Sequence, residues 1–217
     1  MGLQETSNNT LNLQNNRTTS ILEMLRAHPK SVEIQEYLST KLSVERLQHV
    51  LSVQEVAVDL AHAHKADVWH ANLAALLHDS AKWMSTERLY REVERYGIRL
   101  DPIEKSNPAL LHSLVGAELA MEKFKVTEFA VLEAIRSHTT GNPSMSLIAQ
   151  VLYVADFAEP MRTYEEAHVV RKLAYTDLER AVHHVARAQI ERLLEKGRTI
   201  HPNTLHTYNK MFANVNN

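Results

Sequence analysis

Apolar residues recur at three- and four-residue intervals along most of the chain, and no stretch alternates convincingly enough to predict a strand. The pattern is cleanest from Ser43, a good N-cap, after which Leu47, Val50, Leu51, Val58 and Leu60 keep helical spacing. Before it, Ile21 to Ala27 and Val32 to Leu42 read as short amphipathic helices, the second opening after Pro29. Asp67 to Leu77 follows, then Thr86 to Tyr96, which stops at the helix-ending Gly97. Asp101-Pro102-Ile103-Glu104 has an acidic cap, proline in the first position and glutamate in the third, the signature of a helix start. Asn107-Pro108 opens a segment from Ala109 to Phe124, and Thr127 to Ser137 is a further helix. Thr139 to Pro143 reads as a loop, and Ser146 to Phe157 as a strongly apolar helix. Thr176-Asp177-Leu178-Glu179 predicts a capping box for a helix that runs to Lys196 and stops at Gly197. Gly197 to Thr204 reads as a polar loop. The expectation is a single all-α domain over 43–210, preceded by a short helical extension over 20–42 and a disordered arm over 1–19 rich in Asn, Gln, Thr and Ser.

Composition narrows the classes. The 217 residues suffice for one domain with a sizeable core, and 44% apolar content is a globular value. Five glycines and six prolines suit long helices with short connections. A net charge of −2 gives no broad basic field for nucleic acid. The chain has no cysteine, which removes disulfide and thiolate chemistry and fits a reducing cytoplasm. No apolar run is long enough to span a bilayer, and no apolar region of signal-peptide type follows Met1. Met1 to Thr6 fits the myristoylation pattern formally, but no basic patch supplies a second anchor, and chance is the better reading.

The chemistry centres on His78-Asp79, adjacent residues directly after the apolar Leu73, Leu76 and Leu77. An ionised carboxylate beside a core needs a partner, and a metal ion is an economical one. Imidazole and carboxylate both suit Fe, Mn or Zn. The pair alone is a weak signal, but His49, His112, His138 and Asp156 each fall within or at the end of a predicted helix. Asp156 also interrupts the apolar run Val151 to Ala155, where an aspartate without a partner is rare. Lys82, on the predicted face of His78 and Asp79, suits an anionic oxygen ligand. Thr139, Thr140 and Gly141 offer hydroxyls and backbone N–H groups to phosphate, and Arg162 offers a two-donor grip, as Arg46 does less surely. His62, His64, His70, His168, His183 and His184 lack such context and read as surface or partly buried polar residues.

The order His, His-Asp, His, His, Asp matches the HD-domain metal phosphohydrolases. Within them the chain resembles the bacterial YqeK family, the symmetrical diadenosine tetraphosphatases. The resemblance covers roughly residues 43–205. It rests on Arg46-Leu47-Gln48-His49, Leu76 to Lys82, Asn107 to His112, His138 to Pro143, Tyr153 to Pro160 and Gly197 to Pro202. It implies an HD-domain helical bundle that splits diadenosine tetraphosphate into two ADP with metal-activated water. It also implies iron, with Mn or another transition metal as the alternative, on His49, His78, Asp79 and Asp156. His112, His138, Thr139, Arg162 and the run Thr199, Ile200, His201, Pro202, Asn203, Thr204 then hold the nucleotide, and a second metal on His112 and His138 is left open. The catalytic assignment is Asp79, Lys82, His112 and His138, with His49 and Lys82 also facing substrate. The expected partners are the dinucleoside polyphosphate and ADP, with neither nucleic acid nor membrane, and a homodimer is left open. Val50 and Ser52 depart from the family's usual threonine and glycine without removing a ligand. Rival readings are an HD-domain hydrolase of other nucleoside phosphates, a nucleotide-binding module with little turnover, and a structural bundle with incidental histidines.

Overall fold

The computed structural model describes residues 19–212, so the predicted arm lies outside the described residues except for Thr19, which is helical. Among the described residues there is no strand. The helices are α1 (residues 19–27), α2 (Pro29–Ser39), α3 (Val44–Ala63), α4 (Val68–Leu77), α5 (Thr86–Tyr96), α6 (Pro102–Ser106), α7 (Leu111–Phe124), α8 (Phe129–Ser137), α9 (Leu147–Ala158), α10 (Glu165–Ala174), α11 (Leu178–Glu195) and α12 (Pro202–Lys210), with a 3₁₀ turn at Pro108–Leu110. No helix among them is long and apolar enough to cross a membrane.

Two helices are apolar around their whole circumference and therefore lie in the centre. In α4, Ala71 through Leu77 are all buried, and in α9 so are Val151 through Ala155, Phe157 and Ala158. Helix α3 packs along α4 and reaches α9, α8 lies against α4, α7 and α9, and α11 covers α9 on the far side. Amphipathic α5 buries only Leu89 and Val93, in a satellite cluster with Ala81, Met84, Leu111 and Val115. The extension is part of the fold, because Ile34 and Leu38 of α2 are fully buried in the main core.

A buried polar chain ties this extension to the centre. Arg26 Nε donates to Gln54 Oε1 (3.1 Å), Gln54 Nε2 to Asn72 Oδ1 (2.7 Å), and Asn72 Nδ2 to Ser31 Oγ (3.0 Å). It joins α1, α3, α4 and α2 and leaves the three fully buried side chains satisfied.

Several predicted boundaries move. Helix α2 starts at Pro29 itself, with proline in its first turn and His28 as cap, and ends at Ser39. Helix α8 begins at Phe129, two residues later than predicted, after an extended Glu128 that provides no side-chain cap. The predicted box at Thr176–Glu179 does not form: Asp177 is the cap, accepting from Arg180 N, while Thr176 Oγ1 donates back to Leu173 O. Residues 78–83 form turns rather than a regular helix, so Lys82 does not share a helical face with His78. The expected loop 197–204 ends in helix, since His201 caps α12 and Pro202 occupies its first position. Helix α10 lies in a stretch that the sequence reading leaves unassigned.

Candidate metal centre

The helix ends converge on one spot. His78 caps α4 with Asp79 directly after it, Asp156 sits in the last turn of α9, and His138 caps α8. His112 opens α7, and His49 lies in the second turn of α3. His49, His78, Asp79, His112 and His138 are buried, and Asp156 is half-buried.

Hydrogen bonding fixes how these imidazoles face. Nδ1 of His78, His112 and His138 lies 2.7, 2.7 and 2.8 Å from the carbonyl oxygens of Ala75, Ala109 and Ile135. A carbonyl only accepts, so each Nδ1 carries the proton, and in the neutral ring the Nε2 lone pair faces inward. His49 does the same with a carboxylate, Glu159 Oε1, at 3.2 Å. This is the arrangement in which a histidine binds metal through Nε2.

The inward atoms form a ligand cluster. His49 Nε2 is 3.1 Å from Asp156 Oδ1 and 3.9 Å from Asp79 Oδ2. His78 Nε2 is 3.5 Å from Asp79 Oδ2 and 4.0 Å from Asp156 Oδ1. Donors about 2.0–2.2 Å from a common ion sit roughly 3–3.6 Å apart at neighbouring vertices, close to this spacing. His49 Nε2 and His78 Nε2 are buried without a hydrogen-bond partner. Nitrogens left bare in this way are explained by a cation between them, and the donor set fits a divalent metal ion.

Asp79 also faces a second group. Its Oδ1 is 3.2 Å from His112 Nε2 and 4.0 Å from His138 Nε2, and the two nitrogens are 3.2 Å apart. Lys82 Nζ lies 3.3 Å from His112 Nε2, on a turn and not on the helix face predicted to carry it beside His78 and Asp79. Arg46 Nη1 reaches Asp79 Oδ2 at 3.0 Å, and Arg162 reaches Asp156 and Glu159 at 3.7 and 3.5 Å.

These charges set the titration. Burial disfavours the Asp79 anion, but His78 and His112 outweigh it and hold the carboxyl well below its usual range. Burial also opposes the Asp156 anion, and His49 beside it, with the nearby His78 and His138, again lowers the pKa. For His78, burial pushes the pKa down while Asp79 lifts it above the ordinary value. His138 has no adequate carboxylate partner, so burial, with His78 and His112 beside it, holds it down to about 3.

Residues predicted to hold nucleotide lie at graded distances from this cluster. Thr139 Oγ1 is 3.3 Å from Ser113 Oγ, next to His138. The 199–204 segment contacts the neighbouring loop: Thr204 Oγ1 donates to Thr140 O (2.9 Å), and His201 bonds Asp101 Oδ2 through Nε2 (2.8 Å) while Nδ1 accepts from Asn203 N (3.1 Å). Asp101, Glu104 and His201 thus group around the caps of α6 and α12.

Glu159 was absent from the predicted site. It is buried, and it accepts from Ser52 Oγ and Met161 N, both at 2.7 Å, besides holding His49. The available signal was an acidic residue one helical turn after Asp156, just before Pro160. Ser52, a departure from the family pattern, supplies one of its donors.

Residues 46–161 match the model of the HD domain. This chain belongs to the HD-domain family. The HD-domain protein is 38% identical over 170 residues to a protein of Halalkalibacterium halodurans named bis(5'-nucleosyl)-tetraphosphatase, symmetrical, across 78% of this chain and 90% of that one. It is 36% identical over 169 residues to a protein of the same name from Bacillus subtilis, with the same coverages. Its fold matches the crystal structure of a predicted HD superfamily hydrolase involved in NAD metabolism from Clostridium acetobutylicum, with a TM-score of 0.81, 34% identity, and coverage of 83% of this chain and 96% of that one.

Proposed function

We propose that this HD-domain protein hydrolyses diadenosine tetraphosphate symmetrically to two ADP, at a centre held by His49, His78, Asp79 and Asp156. The observation that carries the reading is the set of inward, partnerless Nε2 nitrogens of His49 and His78 facing the carboxylates of Asp79 and Asp156. The names of the relatives point to the same substrate. Nitrogen and oxygen donors without sulfur suit iron, or manganese in its place. When bound, such an ion supplies Lewis acidity, polarising a phosphoryl oxygen and acidifying water near neutral pH.

The remaining work falls to the chain itself. Water attacks one central phosphorus, and the bond from that phosphorus to the oxygen bridging the two central phosphates breaks, so each half leaves as ADP. His138, neutral at pH 7 with its Nε2 3.2 Å from that of His112, is placed to take a proton. Lys82, against His112, is placed to neutralise the leaving oxygen, and His112, with its Nε2 3.2 Å from that of His138, to pass on to it the proton that His138 takes up. Arg46 and Arg162 offset charge on the phosphate chain. Thr139 and the segment Thr199 to Thr204 grip one ADP half, and holding half of the molecule as a unit makes the cut symmetric.

Product analysis tests this. Iron- or manganese-loaded protein should convert diadenosine tetraphosphate to ADP alone, and Asp79→Ala should abolish turnover. AMP plus ATP would overturn the symmetric assignment, and no turnover with metal bound would overturn the substrate.

A further inference from the structure

Helix α9 carries Asp156 and ends at Ala158, after which the chain turns through Glu159, Pro160 and Arg162. The last carbonyls of a helix lack intrahelical donors, and Pro160 has no N–H to offer. One side chain takes the last of these carbonyls and two more in the turn that follows. Arg171, from the last turn of α10, donates through Nε to Ala158 O (2.7 Å) and through Nη2 to Glu159 O (2.9 Å) and Arg162 O (3.1 Å). Its Nη1 is steadied by His168 Nδ1 at 3.0 Å, and Tyr164 Oη occupies Phe157 O (2.8 Å). The guanidinium is planar, presents its donors in a fixed fork and stays charged, so it grips three carbonyls in one geometry and also complements the helix dipole.

The held turn is the one that faces the metal centre. Between the gripped carbonyls lie the Glu159 carboxylate, which orients His49, and the Arg162 side chain, which reaches Asp156. We propose that Arg171 is a positioning residue of the metal centre: by clamping the 158–162 turn it sets the Glu159 carboxylate, and through it the direction of His49 Nε2. The proposal rests on the metal-centre reading above. Arg171 has no contact with the ligand atoms, and its effect passes through the backbone of this turn.

The experiment uses the full chain and Mn²⁺ as probe, with affinity read by competition against a chromogenic chelator and fold read by melting temperature. Arg171→Ala should weaken Mn²⁺ binding by up to about tenfold, less than the loss of Glu159, the outer partner of His49 that it holds in place. Arg171→Lys, whose single ammonium cannot span three carbonyls, should recover part of this, and millimolar guanidinium ion should shift Arg171→Ala back towards wild type. His78→Ala is the control for the centre. If it binds Mn²⁺ as wild type does, the metal-centre reading fails and takes this proposal with it. If His78→Ala loses metal while Arg171→Ala keeps wild-type affinity, Arg171 is only a helix cap and the proposal is overturned. Should Arg171→Ala not fold, wild-type affinity in Arg171→Lys overturns it equally.

Discussion

Glu159 and His49 are paired across 110 residues of sequence, Oε1 to Nδ1 at 3.2 Å, and this contact decides which nitrogen of His49 faces the ligand cluster. The carboxylate does two things: it accepts the Nδ1 proton, and its charge makes the ring a stronger donor through Nε2. Glu159→Gln keeps an acceptor but loses the charge, whereas Glu159→Ala loses both. Metal affinity should therefore fall by about tenfold in the first variant and by up to about a hundredfold in the second. Titration of the metal-free proteins with Mn²⁺ checks the order, and equal affinities in all three proteins would show that Glu159 has no influence on His49.

His138 gives the metal-free protein a proton linkage of defined sign. Unfolded, a histidine titrates near 6.5, and here burial holds it down to about 3. Across that window the unfolded chain carries a proton that the folded chain does not, so this group's contribution is intact above about pH 6.5 and is lost as pH falls. His78, shifted the opposite way, contributes with the opposite sign, so the test is a difference between variants. With chelator present, urea unfolding of wild type between pH 6 and 4 should lose stability faster than His138→Gln. The slopes should differ by up to about 1.4 kcal/mol per pH unit, the value for one proton. Parallel slopes would mean that His138 is protonated in the fold.

The His and Asp cluster was legible because its members are expensive where they stand: Asp156 breaks an apolar run, and His78-Asp79 ends another. The all-helical fold was legible from spacing, and the two apolar segments became the central helices α4 and α9. What escaped had no local cost to reveal it. Helix α10 follows Tyr164, which offers no side-chain cap, so its start is unsignalled despite the buried Ala167, Val170 and Ala174. Helix α12 buries Thr204 and Thr207, polar residues that leave no apolar period to read. Glu159 reaches the cluster through His49, and nothing near it in sequence shows that partner. The helix-face spacing that joins Lys82 to His78 and Asp79 does not hold, because residues 78–83 are turns, and the start of α7 brings His112 to it instead.

The buried chain from Arg26 to Ser31 makes Asn72 a test of the N-terminal extension. Asn72→Leu removes both the acceptor of Gln54 Nε2 and the donor to Ser31 Oγ, leaving polar groups orphaned in the core. Each orphan costs about 1–3 kcal/mol, whereas Ser31→Ala, which orphans only the Asn72 donor, should cost less than Asn72→Leu. Removing residues 1–42 should be worse than either, because Ile34 and Leu38 leave the main core with it. Urea midpoints rank the variants. A truncated chain as stable as the full one would show that the extension is dispensable.

Gly141 closes the loop that carries His138 and Thr139, and two separate constraints exclude any larger residue there. Its φ is +68°, a left-handed conformation that costs an L-residue about 1–2 kcal/mol. A Cβ would also stand 2.7 Å from Thr207 Oγ1, which cannot swing away without breaking its bond to Asn203 O (2.7 Å). Gly141→Ala should therefore destabilise the protein by more than the conformational cost alone. By displacing Thr139 it should also raise KM for the dinucleotide more than it lowers kcat. Thr207→Ala in the Gly141→Ala background removes the 2.7 Å contact but leaves a tight one of 3.3 Å to the Cβ of residue 207 and the backbone strain, so stability should return only in part. Full recovery would leave no role for the left-handed backbone. No recovery would mean that the contact between Gly141 and α12 is not tight, and that Thr204, through Thr140 O, is what holds the C-terminal helix to this loop.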